Sequence, residues 1–484
     1  MSRRPALLLM HSASRLLLSL LVLLAVAAGV PSSASALDSV VQDDALMLSG
    51  DAAKVNKSLD QMESIGFTHV RLTANWQEIA PDAASDTQPI FDAKNSASYP
   101  AGVWDRLDLA VRAVRAHGME PMIDIGFWAP YWATTEPVGS QGIRARENVD
   151  PAAYSDFAEA VVRRYKGDFV PTTGSASATP STPAAPAQRA STRGFFDGWF
   201  APAPQPAPAP AAKPAPAPAK PVVQPLPAVS TYTLWNEPNI KGFLTPQWKK
   251  TKKGRTPASP AVYRRMLLAA YPRVKAIVPD AKFLIGATSS TGSYALSGMH
   301  GGVPPLQFIR ELACVDTKLK PIRTGGCKGF TTLPGDGWAH HPYSFETGPS
   351  NVSASGRPDD AILGDTVKLH QLLTKLAARK RITWAGSELY LTEYGYFTTV
   401  IGSHRAVSEP DQARLVGDAF RLAAQFKGVR MMSQFLLQDV QCDGGRTTAC
   451  LNWTTGVLRT DGTPKPLMTV LTQILQSLKT APSR

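Results

Sequence analysis

Residues 230–239 read Ser-Thr-Tyr-Thr-Leu-Trp-Asn-Glu-Pro-Asn, a largely apolar run that ends in an acidic group. We expect Ser230–Trp235 to form a buried β-strand, because short apolar runs bounded by turn residues typically do so. Glu237 follows this strand directly. Packing does not explain a carboxylate there, since acidic side chains are almost never buried without partners. The stretch therefore indicates a strand that carries a functional carboxylate at its end.

The same arrangement recurs at residues 391–395, Leu-Thr-Glu-Tyr-Gly, where Glu393 follows the predicted strand Glu388–Thr392. Glu388 provides a comparison within the same strand. It precedes Glu393 by an odd number of residues, so its side chain points to the other face of the strand. We therefore assign Glu388 a structural role and Glu393 a functional one.

Short apolar runs alternate with amphipathic segments along the chain. The predicted strands are Val40–Gln42, Phe67–Thr73, Glu120–Gly126, Ser230–Trp235, Lys282–Ala287, Gly337–His341, Glu388–Thr392 and Val429–Leu436. The predicted helices are Val55–Ile65, Val103–His117, Pro151–Lys166, Pro260–Ile277, Leu306–Cys314, Asp359–Ala378, Pro410–Phe426 and Pro466–Leu478. Repeated strand–helix units require a parallel sheet, and eight of them predict a (β/α)₈ TIM barrel. A doubly wound sheet is the alternative, but no Gly-x-Gly-x-x-Gly motif follows a strand.

A proline- and alanine-rich stretch, residues 171–227, interrupts this series between the third helix and the fourth strand. It holds 15 of the 41 prolines and includes the repeat APAPQPAPAP at residues 201–210. Such a composition cannot form a core and favours extended polyproline II. We therefore predict a disordered insert that divides the barrel into residues 37–170 and 228–484. The aromatic segment FFDGWF, residues 195–200, either docks on a surface or occurs there by chance.

Residues 1–36 resemble a secretory signal, with Arg3 and Arg4 before an apolar run and Ala34-Ser35-Ala36 at its end. An uncleaved signal anchor is the alternative. After cleavage at Leu37 we expect an exported protein without stable membrane insertion.

Four cysteines fit an oxidising compartment. Their spacing favours two local disulfides. One would join Cys314 to Cys327, and the other would join Cys442 to Cys450, each across a glycine-rich loop.

The composition is that of a globular protein of 484 residues, 44% hydrophobic and 18% charged, which excludes coiled-coil, collagenous and wholly disordered chains. Lysine and arginine exceed aspartate and glutamate by 51 − 38 = 13. No nucleic-acid motif or long basic arm accompanies this excess, so we expect no nucleic-acid partner. The positive charge instead favours anionic surfaces or substrates.

The two carboxylates, Glu237 and Glu393, are expected to face each other, because side chains at the carboxyl ends of barrel strands line one site. Such a pair is the minimum machinery for cleaving a glycosidic bond. One carboxyl group protonates the leaving oxygen, and the other attacks the anomeric carbon or activates water. This chemistry needs no cofactor and no metal. His340 and His341 could be a metal pair or plain core polar groups, but no third ligand is suitably spaced, so we expect no metal.

The motifs WNEPN and LTEYGY resemble those of clan A retaining glycoside hydrolases, most closely family 39, with family 5 second. The resemblance covers most of the chain outside the signal and the insert. It implies that Glu237 is the general acid/base, Glu393 the nucleophile, and Asn236 a partner of the sugar 2-hydroxyl. It also implies that Arg71 keeps the nucleophile ionised, and that His341 and Tyr343 belong to the same site.

The aromatic platform under the reactive sugar departs from this pattern. Many members of the clan place a Trp after the eighth strand, where this chain reads Gln434-Phe435-Leu436-Leu437-Gln438. Other rings could stack on sugars, because aromatic faces pack against their C–H groups. The candidate sugar-binding tryptophans are Trp76, Trp128 and Trp453, with Trp132 as a further ring in the same loop as Trp128.

A basic cluster, Trp248–Arg255, follows the Glu237 motif and contains four lysines and one arginine. It either binds an acidic glycan or forms a solvated loop. The sequence thus predicts an exported retaining glycoside hydrolase. It leaves open a transglycosylase with the same residues and a noncatalytic, cell-surface carbohydrate-binding barrel.

We predict that deleting residues 201–220 leaves stability and turnover nearly unchanged. A connection from a helix to a strand lies on the face of a barrel opposite the active site, and a solvated polyproline segment contacts no core. Thermal unfolding and turnover on a small substrate would test this. A large loss of activity would show that the insert reaches the site.

Overall fold

Eight parallel strands close into a barrel whose order around the ring follows the chain. The computed structural model describes residues 37–135, 144–171, 224–252, 254–294, 301–345, 347–400, 404–440 and 453–480. The barrel strands are β1 Asp38–Gln42, β2 His69–Ala74, β3 Glu120–Ile125, β4 Thr231–Leu234, β5 Lys282–Ser289, β6 Gly337–His341, β7 Leu389–Leu391 and β8 Val429–Phe435. Pairing of β1 with β8 closes the ring, so the predicted (β/α)₈ barrel is confirmed and the doubly wound alternative is wrong.

Helices follow the strands and cover the outside of the barrel. The longer ones are α1 Ala52–Ile65, α2 Asp105–Ala116, α3 Pro151–Arg164, α4 Ser259–Ile277, α5 Pro305–Leu312, α6 Thr366–Ala378, α7 Glu409–Gln425 and α8 Pro466–Thr480. Four-residue helices span Asp44–Met47 and Trp76–Ile79. Single 3₁₀ turns span Ser96–Ser98, Tyr131–Ala133, Arg144–Arg146, Gly325–Cys327, Leu363–Asp365 and Ala385–Ser387.

Side-chain caps determine where several helices begin. The carboxylate of Asp51 accepts hydrogen bonds from the backbone at the start of α1, and Asp150 does the same for α3. Pro151 occupies the first turn of α3, where its missing N–H is not needed. Gly66 ends α1 with φ of 105°, a left-handed conformation that favours glycine.

The core has two layers. The larger layer lies between the strands and the helices and includes Val41, Leu59 and Phe157. The smaller layer fills the barrel interior, and its members are Val40, Met122, Leu284, Ala287, Ala339, Tyr390 and Met431. Val40 and Val41 belong to different layers because successive strand residues point to opposite faces. Packing thus fixes the strands whose ends carry the polar side chains.

An antiparallel hairpin that the sequence did not predict, Trp248–Thr251 with Gly254–Pro257, lies between β4 and α4. It contains most of the basic cluster. Trp248 is buried, and the Arg255 guanidinium lies 3.8 Å from the centre of its ring. Lys249 and Lys250 are exposed.

One of the two predicted disulfides is confirmed. It joins Cys314 and Cys327, whose Cα atoms lie 5.6 Å apart. The second predicted disulfide is not confirmed, because Cys442 and Cys450 both lie outside the described residues. The pairing of Cys450 with Cys442 therefore stays a prediction.

Three other predictions also fall outside the described residues. The signal segment 1–36 and the FFDGWF segment lie there, as do residues 172–223 as a whole, so the division of the chain around the insert stays a prediction. Within the described part of the chain, no helix combines the length and apolar character needed to cross a bilayer.

Candidate active site

Polar side chains from six strands meet where those strands end. Arg71 lies within β2, Asn236 and Glu237 follow β4, and Glu393 follows β7. His341 is the last residue of β6, and Tyr343 lies two residues beyond it. The structure therefore brings together six of the predicted site residues, and β1 and β3 add two partners described below.

The two glutamates face each other across His341. The His341 Nδ1 atom lies 3.0 Å from Glu237 Oε1 and 3.6 Å from Glu393 Oε2. One carboxylate oxygen of each glutamate and one ring nitrogen of His341 all lie within 4.8 Å of one another. Each glutamate is only 8% exposed, so both carboxyl groups are close together in a poorly hydrated site.

Arg71 is the cation of this cluster and is fully buried. Its Nη1 donates to Glu393 Oε1 at 2.7 Å and to Gln42 Oε1 at 2.5 Å. Its Nη2 donates to Asn236 Oδ1 at 3.0 Å and lies 3.1 Å from Asp124 Oδ2. A guanidinium has five N–H donors in a rigid plane, so it fixes the relative positions of these four groups.

Two site residues were missed by the sequence analysis. Gln42 is the last residue of β1, and Asp124 is the residue before the end of β3. Asp44 is a third, since it accepts hydrogen bonds from Gln42 Nε2 at 3.0 Å and from the Thr73 hydroxyl at 2.6 Å. The signal that identified Glu237 applies to Gln42 and Asp124 as well, because both are polar groups at barrel strand ends.

Glu237 adopts a backbone conformation that is rare outside glycine, with φ of 35°. Its N–H donates to the Ala287 carbonyl oxygen of β5 at 2.9 Å, which holds it there. Such conformations cost about 1–3 kcal/mol and concentrate at functional sites. The strain at Glu237 therefore agrees with a role for this side chain beyond packing.

The environment gives the two carboxyl groups different pKa values. Burial raises the pKa of Glu237 well above its usual range, and the charge of Glu393 raises it further. Burial also raises the pKa of Glu393, to about 7, but the contact with Arg71 opposes this shift. Glu237 is therefore the group that keeps its proton, and Glu393 is the group that ionises first. Two carboxyl groups whose pKa values are driven apart define an acid and a base.

Two neighbours of the glutamates stay neutral. Burial lowers the pKa of His341 well below its usual range, so the ring remains uncharged. Burial raises the pKa of Tyr343, and the charge of Glu393 raises it further, so the phenol keeps its proton. The Tyr343 hydroxyl donates to Glu393 Oε2 at 3.3 Å. Arg71 and Tyr343 thus contact different oxygens of the same carboxylate.

Among the residues that the structure describes, Glu237, His341 and Glu393 could ligate a metal, because their ligand atoms cluster within 4.8 Å. Arg71 makes this a poor cation site, since its positive charge lies 2.7 Å from Glu393. His340 does not join the cluster. Its Nδ1 lies 2.8 Å from the Thr288 hydroxyl and its Nε2 lies 2.7 Å from the Ala361 carbonyl oxygen.

Trp453 lies beside the site, although it is distant in sequence. Its ring centre lies 5.3 Å from that of Phe435, the last residue of β8, and 5.0 Å from that of Phe397. It packs against the small apolar cluster that contains Tyr343. Trp453 thus lies close to the end of β8, where this chain lacks a Trp in its sequence. Its contact with a sugar stays a prediction.

The other three tryptophans lie in different surroundings. Trp76 is fully buried, with its ring stacked 5.3 Å from Phe157, so it has no face for a ligand and the prediction for it is wrong. Trp132 belongs to the same aromatic cluster. Trp128 follows β3, packs beneath the Arg146 guanidinium and donates from Nε1 to the Gly242 carbonyl oxygen at 2.9 Å. A sugar contact by Trp128 stays a prediction.

Comparison with known proteins finds similarity in structure alone, because neither a family profile nor a curated protein matches the sequence. A family 39 glycoside hydrolase from the gut symbiont Bacteroides cellulosilyticus WH2 matches with a TM-score of 0.51 and 17% identity. The match covers 93% of this chain and 66% of that protein, so the chain spans about two thirds of its length.

Two further matches have lower scores. The GH39 enzyme from Xanthomonas axonopodis pv. citri has a TM-score of 0.45 and 15% identity, covering 91% of this chain and 67% of that one. A GH5_18 from Bifidobacterium longum subsp. infantis has a TM-score of 0.48 and 13% identity, covering 93% and 80%. The match to the family 39 enzyme from Bacteroides cellulosilyticus WH2 shows that the chain shares its barrel fold. Family 39 and family 5 glycoside hydrolases, the two families that the motifs resemble, are both among the structural matches.

We predict that Asp124→Asn lowers the pKa of Glu393 from its value of about 7. The negative charge of Asp124 raises that pKa, so a neutral isostere removes the effect, whereas Arg71, Tyr343, His341 and Glu237 still face the carboxylate. Carboxyl ¹³C NMR of glutamate-labelled protein would measure the titration.

Asp108→Asn is the matched control. Asp108 on α2 is also buried and pairs with an arginine, Arg164, at 2.5 Å, but it lies in the helical layer. Both variants should lose stability, because each weakens a buried ion pair. Equal Glu393 titrations in the two variants would contradict the role given to Asp124.

Proposed function

We propose that the protein is a retaining O-glycoside hydrolase in which Glu237 is the general acid/base and Glu393 the nucleophile. The observation that carries this proposal is the geometry of the two glutamates, with oxygens within 4.8 Å and only Glu393 in contact with Arg71. Retaining enzymes place their carboxyl groups about 5–5.5 Å apart and inverting enzymes about 6.5–9.5 Å. The short separation therefore supports retention.

In the first step, Glu393 Oε2 attacks the anomeric carbon while Glu237 donates its proton to the glycosidic oxygen. The bond from that carbon to the leaving group breaks, and an ester joins the sugar to Glu393. Arg71 holds Oε1, which becomes the carbonyl oxygen of the ester. Loss of the Tyr343 hydrogen bond to Oε2 accompanies attack, since that oxygen uses its electron pair for the new bond.

In the second step, Glu237 is ionised and acts as a base. It removes a proton from a water molecule, whose oxygen attacks the anomeric carbon from the side that the leaving group vacated. The ester breaks and Glu393 regains its charge next to Arg71. Neutralisation of Glu393 in the intermediate removes one cause of the raised pKa of Glu237, so the acid of the first step becomes the base of the second.

The substrate in this proposal is a β-linked polysaccharide or oligosaccharide. Arg71 fixes the amide of Asn236 through its oxygen, which leaves the amide N–H₂ to donate to the sugar 2-hydroxyl. The exposed lysines Lys249, Lys250 and Lys252 give the hairpin after β4 a positive charge on the catalytic side of the barrel. This charge favours chains that carry acidic substituents.

Export is part of the same proposal. The disulfide between Cys314 and Cys327 fits an oxidising compartment, and the N-terminal segment has the pattern of a secretory signal. A noncatalytic binding barrel is less well supported, because it has no use for two facing carboxyl groups buried around one guanidinium. Burying charged groups costs stability unless they are well paired.

We predict that Glu237→Ala and Glu393→Ala fail at different steps. A panel of aryl β-glycosides would first identify a substrate with a good leaving group. Such a group needs little protonation, so Glu237→Ala should form the intermediate and stall, with kcat lower by about 10²–10⁴-fold. Azide needs no base, so it should restore turnover of this variant and give the β-glycosyl azide.

Glu393→Ala lacks the nucleophile, so a good leaving group should not rescue it. Azide can then enter only directly and should give the inverted glycosyl azide. NMR of the products distinguishes the two anomers. The assignment is wrong if Glu393→Ala retains turnover or if both variants give the same anomer. Failure of the wild-type protein to cleave any glycoside would favour the binding barrel.

A further inference from the structure

Two loops on the face of the barrel opposite the catalytic pair are rich in positive charge. The first, residues 313–336, runs from α5 to β6, and the second, residues 379–388, runs from α6 to β7. Both lead from a helix to a strand, and such connections lie at the amino-terminal ends of the barrel strands. Their exposed cations, which we call the basic patch, are Lys318, Lys320, Arg323, Lys328, Arg379 and Lys380.

The two loops are joined to each other, so their charges share one surface. From the second loop, Arg381 Nε donates to the Ala313 carbonyl oxygen at 2.8 Å, and its Nη2 donates to that of Cys314 at 3.1 Å. In return, the Leu333 N–H of the first loop donates to the Arg381 carbonyl oxygen at 3.0 Å. The disulfide between Cys314 and Cys327 closes the first loop on itself. These contacts hold both basic segments against the same part of the barrel.

The acidic side chains of these loops do not neutralise the basic patch. Against seven cationic side chains, the loops contain three acidic ones. Asp316 accepts hydrogen bonds at 2.8 Å from the backbone N–H groups of Lys318 and Lys320, so it stabilises its own loop. Asp336 and Glu388 pair with cations outside the basic patch. Within the described part of the chain, no carboxylate forms an ion pair with a cation of the basic patch.

An exposed aromatic ring lies on the same face. Trp384 of the second loop is 61% exposed, more than any other tryptophan that the structure describes. The N–H of the preceding residue, Thr383, donates to the Leu333 carbonyl oxygen at 3.0 Å, so Trp384 follows directly on a point where the two loops meet. Tryptophan is enriched at membrane–water interfaces, because its ring is apolar and its N–H is polar.

The chain also enters the barrel at this face. β1 begins at Asp38, and the amino-terminal ends of all eight parallel strands lie on the side opposite the catalytic pair. The sequence before it has the pattern of a secretory signal, whose apolar run ends a few residues before Leu37. A membrane that held this run before cleavage would therefore lie on the side of the basic patch.

We propose that the basic patch, together with Trp384, docks the protein on a bilayer that contains anionic lipids. Its exposed cations complement the negative surface potential of such a bilayer, and each contributes roughly fivefold in affinity. An acidic polysaccharide is the alternative partner. The bilayer is favoured because exposed side chains that stand out from the protein reach a broad plane readily, and because the apolar run precedes this face.

Docking in this way turns the catalytic pair away from the lipid. The strand ends that carry Glu237 and Glu393 are on the opposite face of the barrel, so their site stays open to water while the basic patch is occupied. The docking surface does not depend on the glycosidase function, because it uses none of the residues of that site.

Binding to vesicles tests the proposal. The barrel closes through β1 and β8 without residues 1–36, so protein that begins at Leu37 is suitable and lacks the apolar run. We expect it to sediment with vesicles of mixed phosphatidylserine and phosphatidylcholine and to stay in solution with phosphatidylcholine alone. Added salt should release it, because the Debye length falls to about 10 Å at an ionic strength of about 0.1 M.

Two triple variants separate the basic patch from net charge. The first variant replaces the three lysines of the first loop: Lys318→Gln, Lys320→Gln and Lys328→Gln. The matched control removes the same charge from exposed lysines on the catalytic side of the barrel: Lys54→Gln, Lys57→Gln and Lys94→Gln. The first should weaken binding to the mixed vesicles by roughly 100-fold, about fivefold for each cation, whereas the control should bind like the wild-type protein.

Trp384→Ala keeps the charge and removes the ring. We expect it to weaken binding to the mixed vesicles by roughly tenfold, since burying a large apolar side chain is worth about that much. Its salt dependence should match that of the wild-type protein, because the cations are unchanged. Circular dichroism of each variant would establish that it is folded.

Equal affinities of the two triple variants would overturn the proposal, because binding would then follow net charge alone. Failure of the wild-type protein to bind the mixed vesicles would also overturn it. If it then bound polygalacturonate, and the first triple variant did not, the basic patch would belong to an acidic polysaccharide. None of these outcomes changes the glycosidase function, which is measured separately by the cleavage of aryl glycosides.

Discussion

A single buried guanidinium, that of Arg71, holds the site together. It contacts Gln42 of β1, Asp124 of β3, Asn236 after β4 and Glu393 after β7, so it joins five strand ends including its own. Burial alone would lower its pKa, but Asp124 and Glu393 raise it, so the group stays charged. Removing one partner of a buried ion pair typically costs about 3–5 kcal/mol. The positions and the charges of the site therefore depend on the same side chain.

This arrangement gives two chemically identical residues different tendencies to ionise. Glu237 and Glu393 are equally buried, but Arg71 contacts only Glu393. The contact favours a carboxylate at Glu393, and that charge in turn favours a protonated Glu237. The barrel makes such a difference possible, because it brings strand ends from distant parts of the chain to one face and leaves the loops beyond them to shape the substrate cleft.

The sequence was sufficient to predict the barrel and the position of the two glutamates at strand ends, because strand–helix alternation and acidic strand ends are local patterns. The same strand-end rule could have identified Gln42 and Asp124, but their role became visible only through Arg71. Trp76 was misassigned because burial of a large ring depends on the packing of Phe157 from a distant helix. Trp453 reaches the end of β8 through long-range folding, which no spacing in the sequence reveals. The hairpin at Trp248 was not predicted, because its run of charged residues is compatible with a solvated loop as well as with glycan binding.

The proposed mechanism requires Glu393 to become covalently attached to the sugar during turnover. In a 2-deoxy-2-fluoro glycoside, the fluorine slows both steps because both pass through an oxocarbenium-like transition state. A good leaving group keeps the first step the faster one, so the intermediate accumulates. Mass spectrometry of the digested, labelled protein would locate the sugar. We expect one sugar per chain, on the peptide that contains Glu393. A label on another residue, or an inverted first product with no label at all, would contradict it.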